Sequence, residues 1–266
     1  MQKWVSVHLR FEDISQDGRV LLEVLPSVLG PTIWNAQLAH DPLARECREK
    51  GIVPILTRYV LEGTPGPFGL MTPMQATGRF ELARTDRDRV ALNMWAELRA
   101  PIGRTYPPQP DNAGTEAVAG RVFAEHVFTR LFAAESAERA VRPADVGLRD
   151  APPYTPRPFA EMLPTGAQPD DAPIVFGLVH TDSNQHVNSL AYLRAFEEAV
   201  LRRCAPGYLS RQLEIAYRKP CFAGDRMRVH VHLTPNDAGM SATVALAPDG
   251  QPVETAHVAA RMLFIK

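Results

Sequence analysis

Along most of this chain apolar and polar residues alternate, and twice the spacing changes to that of a helix. In "SLAYLRAFEEAVLRR", Leu190, Leu193, Phe196, Val200 and Leu201 recur at mostly three- and four-residue steps with Arg194, Glu197, Glu198 and Arg202 largely between them. That spacing predicts a helix with one apolar face for packing on a sheet. Leu21, Leu22, Leu25 and Val28 give a shorter version of the same pattern. Four strand-like runs follow each helical stretch. Behind the first they are "IVPILTRYVLEG", "MQATGRFELA", "RVALNMWAEL" and "AEHVFTRLF"; behind the second, "RQLEIAYRK", "DRMRVHVHL", "SATVALA" and "TAHVAARMLF". Turns such as "TDRD", "FAGD" and "APDG" separate many of them, as antiparallel hairpins require. One helix laid across a strongly curved antiparallel sheet, twice over, is the simplest architecture that buries these patterns; two unrelated α+β domains are the alternative.

The halves also align by residue. With one insertion, His126 and Arg130 fall on His257 and Arg261 near the ends of the halves. At their starts, "EDISQDGRVLLEVL" against "HTDSNQHVNSLAYL" sets Asp13 on Asp182, Ser15 on Asn184, Gln16 on Gln185 and Asp17 on His186. Between the halves, Arg142 to Pro173 has neither periodicity and is rich in proline, which removes backbone donors. It reads as a surface-wrapping connector. The expected organisation is a first domain over residues 1–141, a connector over 142–172 and a second domain over 173–266.

Composition changes this picture little. A net charge of -1, with 45% hydrophobic and 22% charged residues, is that of an ordinary soluble globular protein and calls for neither nucleic acid nor an anionic membrane. Cys47, Cys204 and Cys221 have no paired spacing, so neither a disulfide framework nor a zinc knuckle is expected. The N-terminus lacks a signal-peptide core, and no run of about 18 apolar residues occurs. A cytoplasmic protein without a membrane span is the expectation.

"DSNQHVNSLAYLRAFEEA" resembles the signature of the hotdog-fold thioesterases, and "NQHVN" the second-half motif of plant and bacterial acyl-ACP thioesterases. In the first half, "DGRVLLEVL", "ARECREKGIVPILTRYVLEG" and "RFELARTDRDRVALNMWAELRA" are similar to the first hotdog of the same enzymes. The resemblance implies an α+β tandem (double) hotdog, each half a curved antiparallel sheet wrapped around a central helix. It further implies hydrolysis of an acyl thioester of acyl carrier protein or coenzyme A, with no metal or other cofactor. The second half would carry the catalytic groups and the first much of the acyl pocket. A double hotdog supplies its own sheet partner, so a monomer or a homodimer is expected.

Thioester hydrolysis needs an activated water or a carboxylate nucleophile, and donors for the oxyanion. Asp182 would fill the first role, His186 would orient or shuttle a proton, and Asn184 would hold the substrate carbonyl or its neighbour. If the segment is extended, the three face one side with period two, and the amides from Asn188 to Ala191 face the same space. The alternative is a polar turn with Asn188 capping the helix. Glu197 and Glu198 read as residues of the helix's wet face, or one of them as completing the site. The departure from the family lies at "AYRKPCFAGD", where Pro220 stands in place of an acidic residue beside the cysteine. Cys221 reads either as a small buried hydrophobe or as a nucleophile. A non-hydrolytic protein binding an acyl or polyketide intermediate, and a hotdog dehydratase or cyclase, are therefore kept as alternatives.

The first half lacks the Asn and the His. Asp13, Ser15 and Asp17 read as solvated hairpin residues, with a shared-proton carboxylate pair as the alternative. His126 and His257 read as sheet-face residues rather than metal ligands. "GTPGPFG", Gly63 to Gly69, reads as a loop. Arg218 and Lys219 read as solvent-exposed, or as partners of the phosphates of a pantetheine carrier.

Overall fold

Alternation carries directly into strands in the computed structural model, which describes residues 4–70, 73–130, 133–204, 207–237 and 239–266. The chain divides into two units at Pro156 and Arg157, inside the proline-rich connector. In the first unit, β1 (Val5–Val7), β2 (Ile52–Gly63), β3 (Met74–Thr85), β4 (Val90–Pro101) and β5 (Glu116–Arg130) form an antiparallel sheet in the order β1-β3-β4-β5-β2. Along β4, Leu92, Met94, Leu98 and Ala100 are fully buried, with half-buried Trp95, Glu97 and Arg99 on the other face. Leu131 and Phe132, at the end of the run expected to close this half, lie outside the described residues.

The helix expected from Leu21 to Val28 is not an α-helix. Leu22–Val28 is a 3-10 helix with Pro26 inside it, followed by a π-turn over Gly30–Trp34. Proline cannot donate to an α-helical ladder, so the apolar spacing survives while the hydrogen bonding changes. Leu22, Val24, Leu25 and Val28 are all buried. A Cβ on Gly120 of β5 would lie 2.4 Å from Leu25 Cδ2, so only glycine lets this segment lie flat on the sheet. The regular helix of this half comes later, as α1 (Pro42–Glu49), capped by Asp41 Oδ1 accepting from the Ala44 amide at 2.9 Å.

The connector runs as short 3-10 turns and two-residue strands. The first of these, β6 (Pro153–Tyr154), pairs with the end of β3, and the Tyr154 hydroxyl donates to the buried Glu125 carboxylate. β7 (Gln168–Pro169) and β8 (Ile174–Val175) pair with a strand of the second unit.

In that unit α2 (Ser189–Leu201) precedes β9 (Leu209–Tyr217), β10 (Arg226–Asn236), β11 (Gly239–Pro248) and β12 (Val258–Ile265), paired in the order β9-β12-β11-β10. Leu193, Phe196 and Val200 are buried as the spacing predicts, contributing about 1.5–3 kcal/mol each. Tyr192, Ala195 and Ala199 join them, whereas Leu201 at the last turn is 39% exposed. Met162 of the connector packs on Ala216, Ala245, Ala247 and Ala259, whose small side chains admit it. Among the described residues no helix is long and apolar enough to cross a membrane.

Candidate active site

From Thr181 to Val187 the chain is a closed turn. An antiparallel bridge joins these two residues, directly behind one turn of 3-10 helix at Leu178–His180. Inside the loop the Asp182 carbonyl accepts the Gln185 amide at 3.0 Å, the His186 carbonyl accepts the Asp182 amide at 3.2 Å, and Gln185 takes a φ of 65°. A left-handed residue reverses the chain, so the expected period-two face of Asp182, Asn184 and His186 does not form. Asn184 sits exposed at the tip, its amide donating to Asp182 Oδ1 at 2.8 Å. This is an Asx turn, the local bond that aspartate offers in competition with an extended backbone. His186 is half-buried, with Nδ1 3.3 Å from the Val187 carbonyl, which leaves Nε2 as the acceptor.

The Asp182 carboxylate is held from both sides. Besides the Asn184 amide on Oδ1, Asn188 Nδ2 donates to Oδ2 at 3.3 Å. Asn188 is also the N-cap of α2, its Oδ1 accepting from the Leu190 amide at 2.8 Å. The two ends of one side-chain amide thus cap the helix and steady the carboxylate, and turning the amide over would lose both bonds. Three of the four helix-start amides expected to face the site are already engaged. The Asn188 amide meets the His180 carbonyl at 2.8 Å, Leu190 meets the cap, and Ala191 meets the Asn188 carbonyl at 3.0 Å. Among the described residues only the Ser189 amide of this group has no hydrogen bond to a protein acceptor.

Behind the turn, the Val187 amide donates to the Cys221 carbonyl at 2.8 Å, and the Cys221 amide donates to the hydroxyl of buried Tyr192 at 3.0 Å. Cys221 is fully buried, with Sγ 3.5 Å from His257 Nδ1. Burial pushes its thiol up to about 11, against the pull of the Tyr192 hydroxyl, so at neutral pH the sulfur is protonated and unsuited to attack. Full burial and the raised thiol favour the small-hydrophobe reading of Cys221 over the nucleophile. Burial likewise holds the His257 imidazole below its ordinary value, opposed by a hydrogen bond to the Pro220 carbonyl. The sequence offered no signal for this contact or for Tyr192, because Cys221 and His257 meet only through strand pairing, with both the Arg218 and Lys219 amides on the His257 carbonyl.

Other expected members lie elsewhere. Glu197 accepts from the Ser210 hydroxyl, and exposed Glu198 pairs with Arg202 at 3.8 Å. They lie about 12 Å or more along the helix from its first residue, at ~1.5 Å per residue, and neither is brought to the turn. Pro220 and Lys219 are exposed, while the Arg218 guanidinium lies 4.9 Å from the Phe159 ring and donates to the Glu254 carbonyl. His126 is not the counterpart of His257. It lies within β5 opposite Leu92 and Leu56, edge-on to Trp34 at 5.5 Å, and burial pushes its pKa down to about 3. Among the described residues no three His, Cys, Asp or Glu side chains gather as a metal site requires.

The first unit repeats the backbone bonds that close the turn. Ile14 and Val20 form the bridge, the Ser15 carbonyl accepts the Gly18 amide at 2.9 Å, the Arg19 carbonyl accepts the Ser15 amide at 2.8 Å, and Gly18 has a φ of 88°. Matched by these bonds, Ser15 rather than Asp13 occupies the place of Asp182, Asp17 that of Asn184, Arg19 that of His186 and Asp13 that of His180. The alignment read from sequence is therefore two residues out. Nor is Asp13 solvated. It is 6% exposed and takes the Arg10 amide and guanidinium, each at 2.8 Å, as His180 Nδ1 takes the Gly177 amide at 2.9 Å. Burial raises the Asp13 carboxyl, but these bonds prevail and hold it below its ordinary value. Exposed Asp17 pairs separately with Arg19 at 2.5 Å, so no shared-proton carboxylate pair exists here.

One helix crossing an antiparallel sheet behind such a turn is the hotdog architecture, and solved hotdog-type thioesterases share it over the whole chain. A Lactobacillus plantarum structure assigned as an oleoyl thioesterase is similar at a TM-score of 0.68 and 13% identity, over 100% of this chain and 95% of that one. An acyl-ACP thioesterase from Bacteroides thetaiotaomicron gives 0.65 and 14%, over 99% and 97%. The 12:0-ACP thioesterase from Umbellularia californica gives 0.64 and 11%, over 99% and 96%. At these identities the likeness is one of fold. Residues 177–262 match the family model of the acyl-ACP thioesterase C-terminal domain, so the resemblance read from the sequence stands on the segment that holds the turn, α2, Cys221 and His257. No curated protein sequence matches the chain.

Proposed function

We propose that this chain hydrolyses an acyl thioester of acyl carrier protein or coenzyme A, with Asp182 as the reacting carboxylate. The observation that carries the reading is the Asp182 carboxylate fixed by the Asn184 amide and the Asn188 side chain beside the open Ser189 amide at the start of α2. Asp182 takes a proton from the attacking water, or itself attacks the carbonyl. The Ser189 amide faces the developing oxyanion, and His186 Nε2 accepts the proton that Asp182 has taken from the water and passes it to the departing sulfur. Water adds to the carbonyl carbon, the C–S bond breaks, and a carboxylic acid and a thiol leave. Exposed Asn184 meets the incoming thioester. Leu178 and Val179, 81% and 91% exposed, border the turn with apolar surface suited to an aliphatic chain. The unpaired state of Cys47, Cys204 and Cys221 fits a reducing, cytoplasmic setting.

A non-hydrolytic role in binding an acyl intermediate is the second reading. What favours it is Pro220, which offers no carboxylate at the strand end, together with Glu197 and Glu198 engaged elsewhere. Free-thiol release from a panel of acyl-ACP and acyl-CoA thioesters separates the two. Release supports hydrolysis, bound acyl group without release supports the binder, and a product lighter by one water identifies a dehydratase.

A further inference from the structure

We propose that Tyr192 is a positioning residue for the Asp182 turn, acting through the backbone of Cys221; the proposal rests on the reading of Asp182 given above. The two peptide groups that flank the Cys221 Cα are each held, the carbonyl by the Val187 amide at 2.8 Å and the amide by the Tyr192 hydroxyl at 3.0 Å. Thr181 donates its amide and hydroxyl to the carbonyl of nearby Leu178, whereas the Val187 amide ties 181–187 to the strand end at Cys221. Without Tyr192 the Cys221 amide would be buried with no acceptor, and the strand end that receives Val187 would be free to shift.

The Tyr192 ring has little freedom of its own. It is 3% exposed, meets Phe176 edge-on at 5.7 Å and lies 5.9 Å from Tyr217. On the far side the His257 ring braces the Cys221 thiol, and the His257 carbonyl takes the amides of Arg218 and Lys219. Asn188 and Tyr192 stand four residues apart, which places them on one face of the helix. That face therefore grips the turn twice, directly through Asn188 on Asp182 and indirectly through Tyr192, Cys221 and Val187. The aromatic ring supplies burial, but only the hydroxyl supplies the second grip.

Tyr192→Phe removes that hydroxyl and keeps the ring. Two readouts are taken well below the melting temperature: amide hydrogen exchange resolved at Val187, and steady-state thiol release. The expected result is exchange at Val187 at least about tenfold faster, kcat about tenfold lower and KM within about twofold, the pattern of a misplaced reacting group rather than lost binding. Wild-type exchange at Val187, or wild-type kcat beside faster exchange, overturns the proposal. A lower melting temperature with both readouts unchanged is a merely structural tyrosine and overturns it too. Should the variant not fold, exchange in the wild type decides, since Val187 must be protected at least about a hundredfold more than the Ser183 amide at the turn's exposed edge. A wild type that releases no thiol refutes the Asp182 reading instead, while the exchange comparison still judges whether Tyr192 holds the turn.

Discussion

Asn188 performs two tasks with one amide, and substitutions can separate them. Asn188→Ala removes both the bond from the Leu190 amide and the donor to Asp182 Oδ2. Asn188→Ser keeps a hydroxyl that caps as well as asparagine does, yet it offers no amide donor at that reach. Loss of the cap costs about 1 kcal/mol in the alanine variant, and the serine variant keeps the cap. A hydrogen bond to a charged acceptor contributes roughly 1.5–3 kcal/mol, but at 3.3 Å and half-buried this one belongs below that range, at about 1 kcal/mol. If the bond orients Asp182 for reaction, that energy appears in kcat as a loss of roughly fivefold in both variants. Urea unfolding should then distinguish alanine from serine, while thiol release should not. Full kcat in the serine variant would refute the positioning of Asp182 by Asn188, and equal stabilities would refute the separate cap.

Further outcomes follow from other parts of the molecule. The imidazole of His126 is held near 3 by burial, whereas the unfolded chain binds a proton below about 6.5, so its contribution is whole above that pH and is lost as pH falls. Relative to His126→Gln, the wild type should lose about 2 kcal/mol between pH 7.5 and pH 5 in denaturant titrations; parallel curves would contradict a neutral buried histidine. Cys221→Ala keeps the backbone hydrogen bonds to Val187 and Tyr192 and should retain kcat within about threefold, whereas abolition would reinstate the thiol as nucleophile. Glu198→Gln removes a surface pair and should leave kcat unchanged within about twofold. Gly18→Ala places a Cβ 2.5 Å from Pro67 Cβ at a φ of 88° and should cost about 2 kcal/mol or more, read as a lower melting temperature.

Much of the fold was legible because alternation and helical spacing are direct records of which face is buried. β2 spans Ile52–Gly63, the whole of its predicted run, and α2 begins behind the Asn188 cap that its residue type suggests. The first-half helix was misjudged because apolar spacing says which residues are buried, not which carbonyl each amide meets, and Pro26 turns that segment into 3-10 geometry. The candidate turn shows the same limit at the site. Asp, Asn and His at alternate positions look like one face of a strand, but an aspartate bonding the amide two residues on, with Gln185 left-handed, folds the same letters into a loop. The two halves were misaligned because sequence likeness followed the carboxylates, whereas what the units share is a backbone pattern that tolerates Ser15 where the other has Asp182. The Tyr192, Cys221 and His257 contacts were invisible for a simpler reason: strand register, set by whole sheets, brings them together.

The proposed function turns on the Asp182 carboxylate carrying out thioester cleavage. Its most direct test is free-thiol release by the wild type and by Asp182→Asn on the same acyl-ACP and acyl-CoA thioesters, with unfolding curves to show that both are folded. Release by the wild type is expected, with a loss of at least about a thousandfold in the variant and stability nearly unchanged. Release by a folded Asp182→Asn protein at the wild-type rate would contradict it.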